Sequence, residues 1–260
     1  MIYPTDLTDS QWQAIKLLLP AKIWQRKRKQ SIRAIINGIL YVVKGGISWR
    51  MMPTDLPDWR LVYYYFSQWA KQGLVQQIHD RLVIKVRLQA GREASPSLGL
   101  IDSQSVKTMS VTTLKGYDGN KKLTGRKRFI IVDVLGLILA LRLTSANAGE
   151  RAGALLLFTA LGQRFGRLKT ILADQGFDGV NFIATVKSTY QLTVNVVCGV
   201  LGVKGFQLLP KRWIVERTFG WWAFHRRLAK DYEVKESHAE AVIYWTMIRL
   251  MARRVRETKS

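Results

Sequence analysis

The sequence predicts a mixed α/β protein: a sheet flanked by helices, preceded by an all-helical module. Three observations carry this expectation. Apolar residues recur at helical spacing through residues 1–90. After a stretch at 91–97 that reads as a linker (GREASPSLG runs from Gly91 to Gly99), the pattern changes to short apolar runs. From there strands alternate with helices, which places helices on the faces of one sheet.

The helical part begins with a helix capped by Thr8 or Asp9 and ending near Pro20. A basic run, Arg26-Lys27-Arg28-Lys29, follows. Ser31 opens a second helix on which Ile32, Ile35, Ile36, Ile39, Leu40 and Val43 form one apolar face, and Gly45-Gly46 stop it. A third helix starts near Asp58 and carries Leu61, Val62, Tyr65, Phe66 and Trp69. Gly73 breaks it, and a fourth helix runs to about Gln89. Helices around a short turn, rich in Arg and aromatic residues, fit a helix-turn-helix-like DNA-binding domain over 1–90.

In the second part, Leu98–Val106 reads as a strand, and Arg128–Asp133 with Leu137–Leu143 as a hairpin about Leu135-Gly136. Glu150–Gly162 is an expected helix, and Leu168–Ala173 a fully apolar strand of a buried sheet. Asp178 is the expected cap of a helix to about Ser188, and Gln191–Cys198 a further strand. Lys211–Tyr232 reads as one long helix and Ser237–Arg256 as the last. The expected division is therefore 1–90, a linker at 91–97, and a second domain over 98–260.

Charge narrows the function. Lys and Arg total 41 against 18 for Asp and Glu, a net charge of +23. Such an excess points to a polyanionic partner, because each neutralised phosphate releases condensed counterions. An anionic membrane is a weaker rival, since no isolated basic amphipathic helix dominates. The longest apolar run, Phe129 to Leu141, is interrupted by Asp133 and is too short to span a bilayer. Cys198 is the sole cysteine, which excludes an internal disulfide, and His79, His225 and His238 are too scattered for a zinc site. The opening MIYPTDLTDSQW lacks the pattern of a signal peptide, so the expected location is the cytoplasm.

Three acids sit where acids are awkward. Asp102 lies inside the apolar run Leu100-Ile101, Asp174 ends Ile171-Leu172-Ala173, and Glu216 sits among Trp213, Ile214 and Val215. A carboxylate in such a place must be paired, hydrogen-bonded or bound to a metal. Singly, each has a plainer reading: Asp102 as a strand-end turn former, Asp174 as a helix N-cap, Glu216 as a partner of Arg212 or Arg217. Together, in an acid-poor basic chain, they suggest a hard-cation site. Mg²⁺ needs only a few carboxylates plus substrate phosphate oxygens, and two such ions can assist both the attacking and the leaving oxygen.

The segments IDSQSVKT around Asp102, GRKRFIIVDVLGL, ILADQGFDG around Asp174 and VERTFGWWAFHRRLAKDYE from Val215 resemble the DDE transposases of bacterial insertion sequences, nearest to the insertion-sequence-five family. ISWRMMPTDLPDW resembles that group's leading helical domain. The resemblance covers nearly the whole chain. It implies a ribonuclease-H-like fold over 98–260, with Asp102, Asp174 and Glu216 as catalytic metal ligands. It further implies Mg²⁺ as cofactor, two ions with Mn²⁺ as a substitute. The wider family's Tyr-Arg-Glu-Lys signature is met at Arg212 and Glu216, with Leu209 and Ala223 at its outer places. The implied activity is cleavage of DNA strands at the element's terminal inverted repeats and their transfer into target DNA. A homodimer or larger assembly on double-stranded DNA, nucleoid-associated in a bacterial cytoplasm, goes with it. The alternatives are a related nuclease that does not join ends, and an inactive DNA-binding relative.

Basic residues supply the expected DNA contacts. Lys115, Lys121, Lys122, Arg126, Lys127 and Arg128 sit in and beside a glycine-containing loop after the first catalytic strand; a solvated loop is the plainer reading, and the position next to the expected site favours phosphate tracking. The run Arg26, Lys27, Arg28 and Lys29 reads as a minor-groove arm or as a solvated linker, with DNA contact favoured. If the helix ran unbroken from Lys211 to Tyr232, Arg212, Gly220, Ala223, Arg227 and Lys230 would share the face of Glu216, with Arg226 about 80° away. Arg227 and Lys230 would then meet phosphates, Arg226 less so.

Overall fold

The computed structural model describes residues 3–23, 29–112, 114–197 and 211–255. In chain order these form helices α1 (Asp9–Lys16), α2 (Ile32–Gly45), α3 (Trp59–Lys71) and α4 (Leu74–Gln89), then strands β1 (Leu98–Lys107), β2 (Gly116–Asp118), β3 (Leu123–Val132) and β4 (Ile138–Ser145). Helix α5 (Glu150–Leu161), β5 (Thr170–Ala173), α6 (Val180–Tyr190), β6 (Thr193–Val196), α7 (Trp213–Ala223) and α8 (Glu236–Ala252) complete the order. Among the described residues no helix is long and apolar enough to cross a membrane.

The chain forms two compact units, Met1–Ala94 with Trp222–Ser260, and Ser95–Trp221. This cuts the chain differently from the 1–90, 91–97, 98–260 division: the last helix belongs with the helical unit. The local chemistry of that unit follows the sequence closely. The Thr8 side chain and the Gln11 side chain cap α1 reciprocally, satisfying two otherwise orphan amides. Ser31 caps α2, and Gly46, at φ 72°, ends it in the left-handed conformation that costs glycine least. Asp58 caps α3 through the Arg60 amide. The apolar face of α2 is wholly buried, from Ile32 at 4% exposure to Ile35, Ile36, Ile39 and Val43 at 0%. Helix α8 buries residues all round, Val242, Ile243, Trp245, Met247 and Ile248 among them, as a helix central to a core must. It packs on α4, α3 and α2. Trp69 and Trp245 stand 6.0 Å apart, and His79 and Tyr244 4.9 Å.

The second unit is a six-stranded mixed sheet. Strand β1 lies between β3, antiparallel, and β5, parallel, and β6 continues the parallel side. Strand β3 pairs with β2 along its first residues and with β4 along the rest. This is the ribonuclease-H-like mixed sheet with flanking helices that the resemblance implies. The hairpin turns at Asp133, whose carboxylate accepts from the Leu135 and Leu137 amides at 2.9 Å each. Phe129 to Val132 are fully buried, and α5 packs on β3 and β4.

Several sequence-based bounds shift. Helix α6 begins at Val180 after Gly179 and not under an Asp178 cap. The predicted loop region from Lys115 to Arg128 contains β2 and the start of β3. The predicted Lys211–Tyr232 helix ends at Ala223, and Arg226–Leu228 forms a separate 3-10 turn. Cys198 and Leu209 lie outside the described residues.

One close approach is testable. A Cβ on Gly153 would lie 2.1 Å from Phe129 Cζ and 2.3 Å from its Cε2. Gly153→Ala therefore overpacks the face between α5 and β3, at a cost on the order of 1–3 kcal/mol. Phe129→Leu in the same chain relieves part of it, so chemical denaturation of the four members of that cycle gives a favourable coupling; strict additivity contradicts the contact.

Candidate active site

Sheet register brings two of the three acids together. Leu100 on β1 pairs with Leu172 on β5 in parallel. Two residues further along stand Asp102, within β1, and Asp174, the first residue after β5, so the register carries both to the same end of the parallel pair. Asp174 is also the cap of the 3-10 turn Gln175–Phe177, accepting from the Gly176 amide at 3.0 Å. Its plainer reading as an N-cap and its place beside Asp102 thus hold together. The Ser103 amide donates to Asp102 Oδ1 at 2.7 Å.

Arg212 bridges the pair, with Nη2 at 3.7 Å from Asp102 Oδ2 and Nη1 at 3.2 Å from Asp174 Oδ2. The two carboxylates therefore share one cation. Burial pushes the Asp102 carboxyl up to about 7; the Ser103 amide and Arg212 oppose that rise, while Asp174 and Glu150 add to it. Hard oxygen donors, crowded negative charge and partial burial fit a divalent cation, which Asp102 and Asp174 would hold. Glu216 lies in the first turn of α7, four residues after Arg212, and is exposed. Among the described residues no three acidic, histidine or cysteine side chains converge as a ready metal cage. The structure thus unites Asp102, Asp174 and Arg212, with Glu216 one helical turn beyond Arg212.

Glu150, expected from the sequence only to start a helix, is a neighbour of the site. Its Oε1 accepts from Ser103 Oγ at 3.1 Å and pairs with Lys127 Nζ at 3.4 Å. Its other oxygen is buried without a hydrogen-bond partner among the described residues. The signal available in the sequence was an acid opening the helix after the hairpin, which a first-turn preference for acids explains equally well.

The raised Asp102 carboxyl has a consequence for stability. Its folded value, about 7 against an ordinary 3.8, means that folding favours the neutral form. Stability from this group is complete below pH 3.8, falls as pH rises to about 7, and is flat above. Asp102→Asn in the metal-free protein should therefore be more stable than the wild type at pH 8, by on the order of 2–4 kcal/mol, with the gap closing toward pH 4. Thermal melts across that range check it; a variant less stable than wild type at pH 8 contradicts the placement.

The family model "Transposase DDE domain" matches residues 93–251, more than half of the chain. The chain belongs to the DDE-domain transposase family. A second model, "Putative transposase of IS4/5 family (DUF4096)", matches residues 7–79. Among curated relatives, an "Insertion element IS402 uncharacterized 16.2 kDa protein" of Burkholderia cepacia is 28% identical over 40% of this chain and 74% of its own length. "Uncharacterized protein y4sN" of Sinorhizobium fredii (strain NBRC 101917 / NGR234) is 26% identical over 39% of this chain and 75% of its own.

In this transposase the expected DNA-contacting cations separate into two groups. Lys115, Lys121, Lys122, Arg226 and Lys230 are exposed. Arg126, Lys127 and Arg128 are not part of an open loop: they lie in β3 and are 0%, 8% and 3% exposed. Arg126 donates to Thr112 Oγ1 at 2.7 Å and Leu114 O at 3.2 Å, and Arg128 to Gln104 Oε1 at 3.3 Å. Lys127 donates to Ala148 O at 2.9 Å and stands 3.9 Å from Asp118. Arg227 is buried, and its Nη2 is paired with Glu233 Oε1 at 2.7 Å. The helical-wheel placement of Arg227 and Lys230 beside Glu216 fails because the helix ends before either. Arg26, Lys27 and Arg28 lie outside the described residues.

Proposed function

We propose that this transposase cuts DNA strands at the ends of an insertion sequence and joins the freed 3′ hydroxyl to target DNA. The observation that carries the reading is the pair of carboxylates, Asp102 on β1 and Asp174 just past the end of β5, bridged by Arg212 on a ribonuclease-H-like sheet, in a chain of net charge +23. Asp102 and Asp174, with Glu216 brought in from α7, would hold Mg²⁺, two ions in the working complex. The metal supplies charge neutralisation at the scissile phosphate and a lowered pKa for the attacking hydroxyl or water. Asp102 must shed its proton to bind it. Arg212 balances the aspartates in the free protein and would be available to a phosphate oxygen once their charge is neutralised otherwise. The exposed Lys121, Lys122, Arg226 and Lys230 contact the DNA backbone, which fixes register without reading sequence. The helical unit reads the terminal inverted repeats. No side-chain nucleophile is required, because the protein positions and neutralises groups and forms no covalent bond to DNA. A homodimer or larger assembly pairs the two ends.

The test uses purified protein, a labelled fragment bearing the element's end, a target plasmid and Mg²⁺. The expected product is a labelled 3′ end covalently joined to plasmid DNA. Cleavage without joined product indicates a nuclease instead, and absence of any cleavage with intact DNA binding indicates an inactive relative.

A further inference from the structure

Within the helical unit lies a cavity of about 710 Å³ lined by aromatic and cationic side chains. Trp49, Trp59, Tyr63, Tyr64 and Tyr232 line it. Trp49 and Tyr63 pack edge to face at 5.3 Å, and Tyr63 meets His238 the same way at 5.8 Å. His238 is held in turn by Ser67 at 3.1 Å, so the wall is braced. Arg50 and Arg60 each place a guanidinium 5.3–5.4 Å from the Trp59 ring centre, and Lys235 adds a third cation. The acid in the lining, Glu233, is already bound to Arg227.

We infer that this cavity takes a single unstacked nucleotide of the bound DNA, its base against the exposed Tyr64 ring and its flanking phosphates on Arg50, Arg60 and Lys235. The inference rests on DNA being the partner of this protein. A hydrophobic cavity alone would fit many occupants; the cations select an anionic one, and the rings select one with a flat π face. A nucleotide has both. Every base offers a π face, so aromatic walls bind it without sequence preference. The volume lies within the roughly 300–1,000 Å³ of small-ligand sites and exceeds what a phosphate alone needs. Ser67 and Gln68, also in the lining, offer hydrogen bonds to base edges. Extruding a base is least costly where a duplex is broken or ends, which is the state of DNA at a cut element terminus.

The test uses the full chain and a pentanucleotide of thymidines with 2-aminopurine at its centre, in about 0.15 M salt. A second strand carries an abasic sugar at that position. The base-bearing strand should bind about tenfold more tightly than the abasic one, and its fluorescence should change on binding as the base stacks. Tyr64 is 50% exposed, so its replacement leaves the core intact. Tyr64→Ala should remove most of the base selectivity and the fluorescence change, and Tyr64→Phe should restore both. Arg60→Ala should weaken both strands alike. Equal affinity for the two strands overturns the inference, as does an undiminished fluorescence change in Tyr64→Ala. So does a Tyr64→Ala protein that changes only its self-association, which assigns the cavity to contact between copies. Cleavage of element DNA by the same preparation, measured separately, distinguishes failure of this site from failure of the transposase reading.

Discussion

Asp102→Asn, Asp174→Asn and Glu216→Gln should each lower strand cleavage roughly 10³-fold or more, because each removes an expected ligand of the catalytic metal. Affinity for element DNA should hold within about twofold, since removing an acid from a basic surface does not weaken phosphate attraction. The two aspartates and the glutamate test different things. Asp102 and Asp174 already share one cation through Arg212, so their variants test whether that shared charge is the metal's place. Glu216 is exposed in the first turn of α7, so Glu216→Gln tests whether it completes the ligand set when metal and DNA are bound. Cleavage assays with matched gel-shift affinities decide each separately. A folded Glu216→Gln protein that cleaves at the wild-type rate removes Glu216 from the ligand set and leaves the aspartate pair standing.

What the sequence made legible was local. Thr8, Ser31 and Asp58 cap helices because a short polar side chain before an apolar repeat has few other uses. Asp102 and Asp174 stood out because an acid ending an apolar run needs a partner, and the register of β1 on β5 supplies one. What stayed hidden depended on partners distant in sequence. Arg126, Lys127 and Arg128 look like a phosphate-tracking run until β3 is seen to pair on both sides and bury them. Nothing within residues 236–252 says that α8 belongs at the heart of the helical unit, although its lack of a polar face was a clue. The end of α7 at Ala223 carries no glycine or proline signal. It is set by tertiary contacts: Lys44 donates to the Phe224 carbonyl, and His225, buried, adopts an extended backbone.

That break turns Arg227 from an expected DNA contact into a structural residue, and the second large effect follows from it. The side chains of Arg227 and Glu233 are each 8% exposed. Arg227 Nε donates to Glu233 Oε1 at 2.8 Å, and its Nη1 donates to Ile47 O at 2.9 Å. Its guanidinium also lies 5.3 Å from the centre of the Tyr232 ring. The pair ties the turn after α7 to the segment after α2. Removing one member of a buried pair leaves the other charged and without its solvent, a loss of about 3–5 kcal/mol. Glu233→Ala should therefore destabilise the protein by that amount, and Arg227→Ala by a similar one. Arg226→Ala, one residue away and exposed, should change stability by less than about 0.5 kcal/mol. Replacing both partners, Arg227→Met with Glu233→Leu, should recover most of the loss, because an apolar pair carries no desolvation cost. Chemical denaturation followed by tryptophan fluorescence reads all four. If Glu233→Ala costs no more than Arg226→Ala, Arg227 is not committed to this pair, and its place on the DNA is open again. If the order is as expected, loss of cleavage in Arg227→Ala reports a damaged helical unit, and only Arg226 and Lys230 remain in this segment as cations free to meet a phosphate.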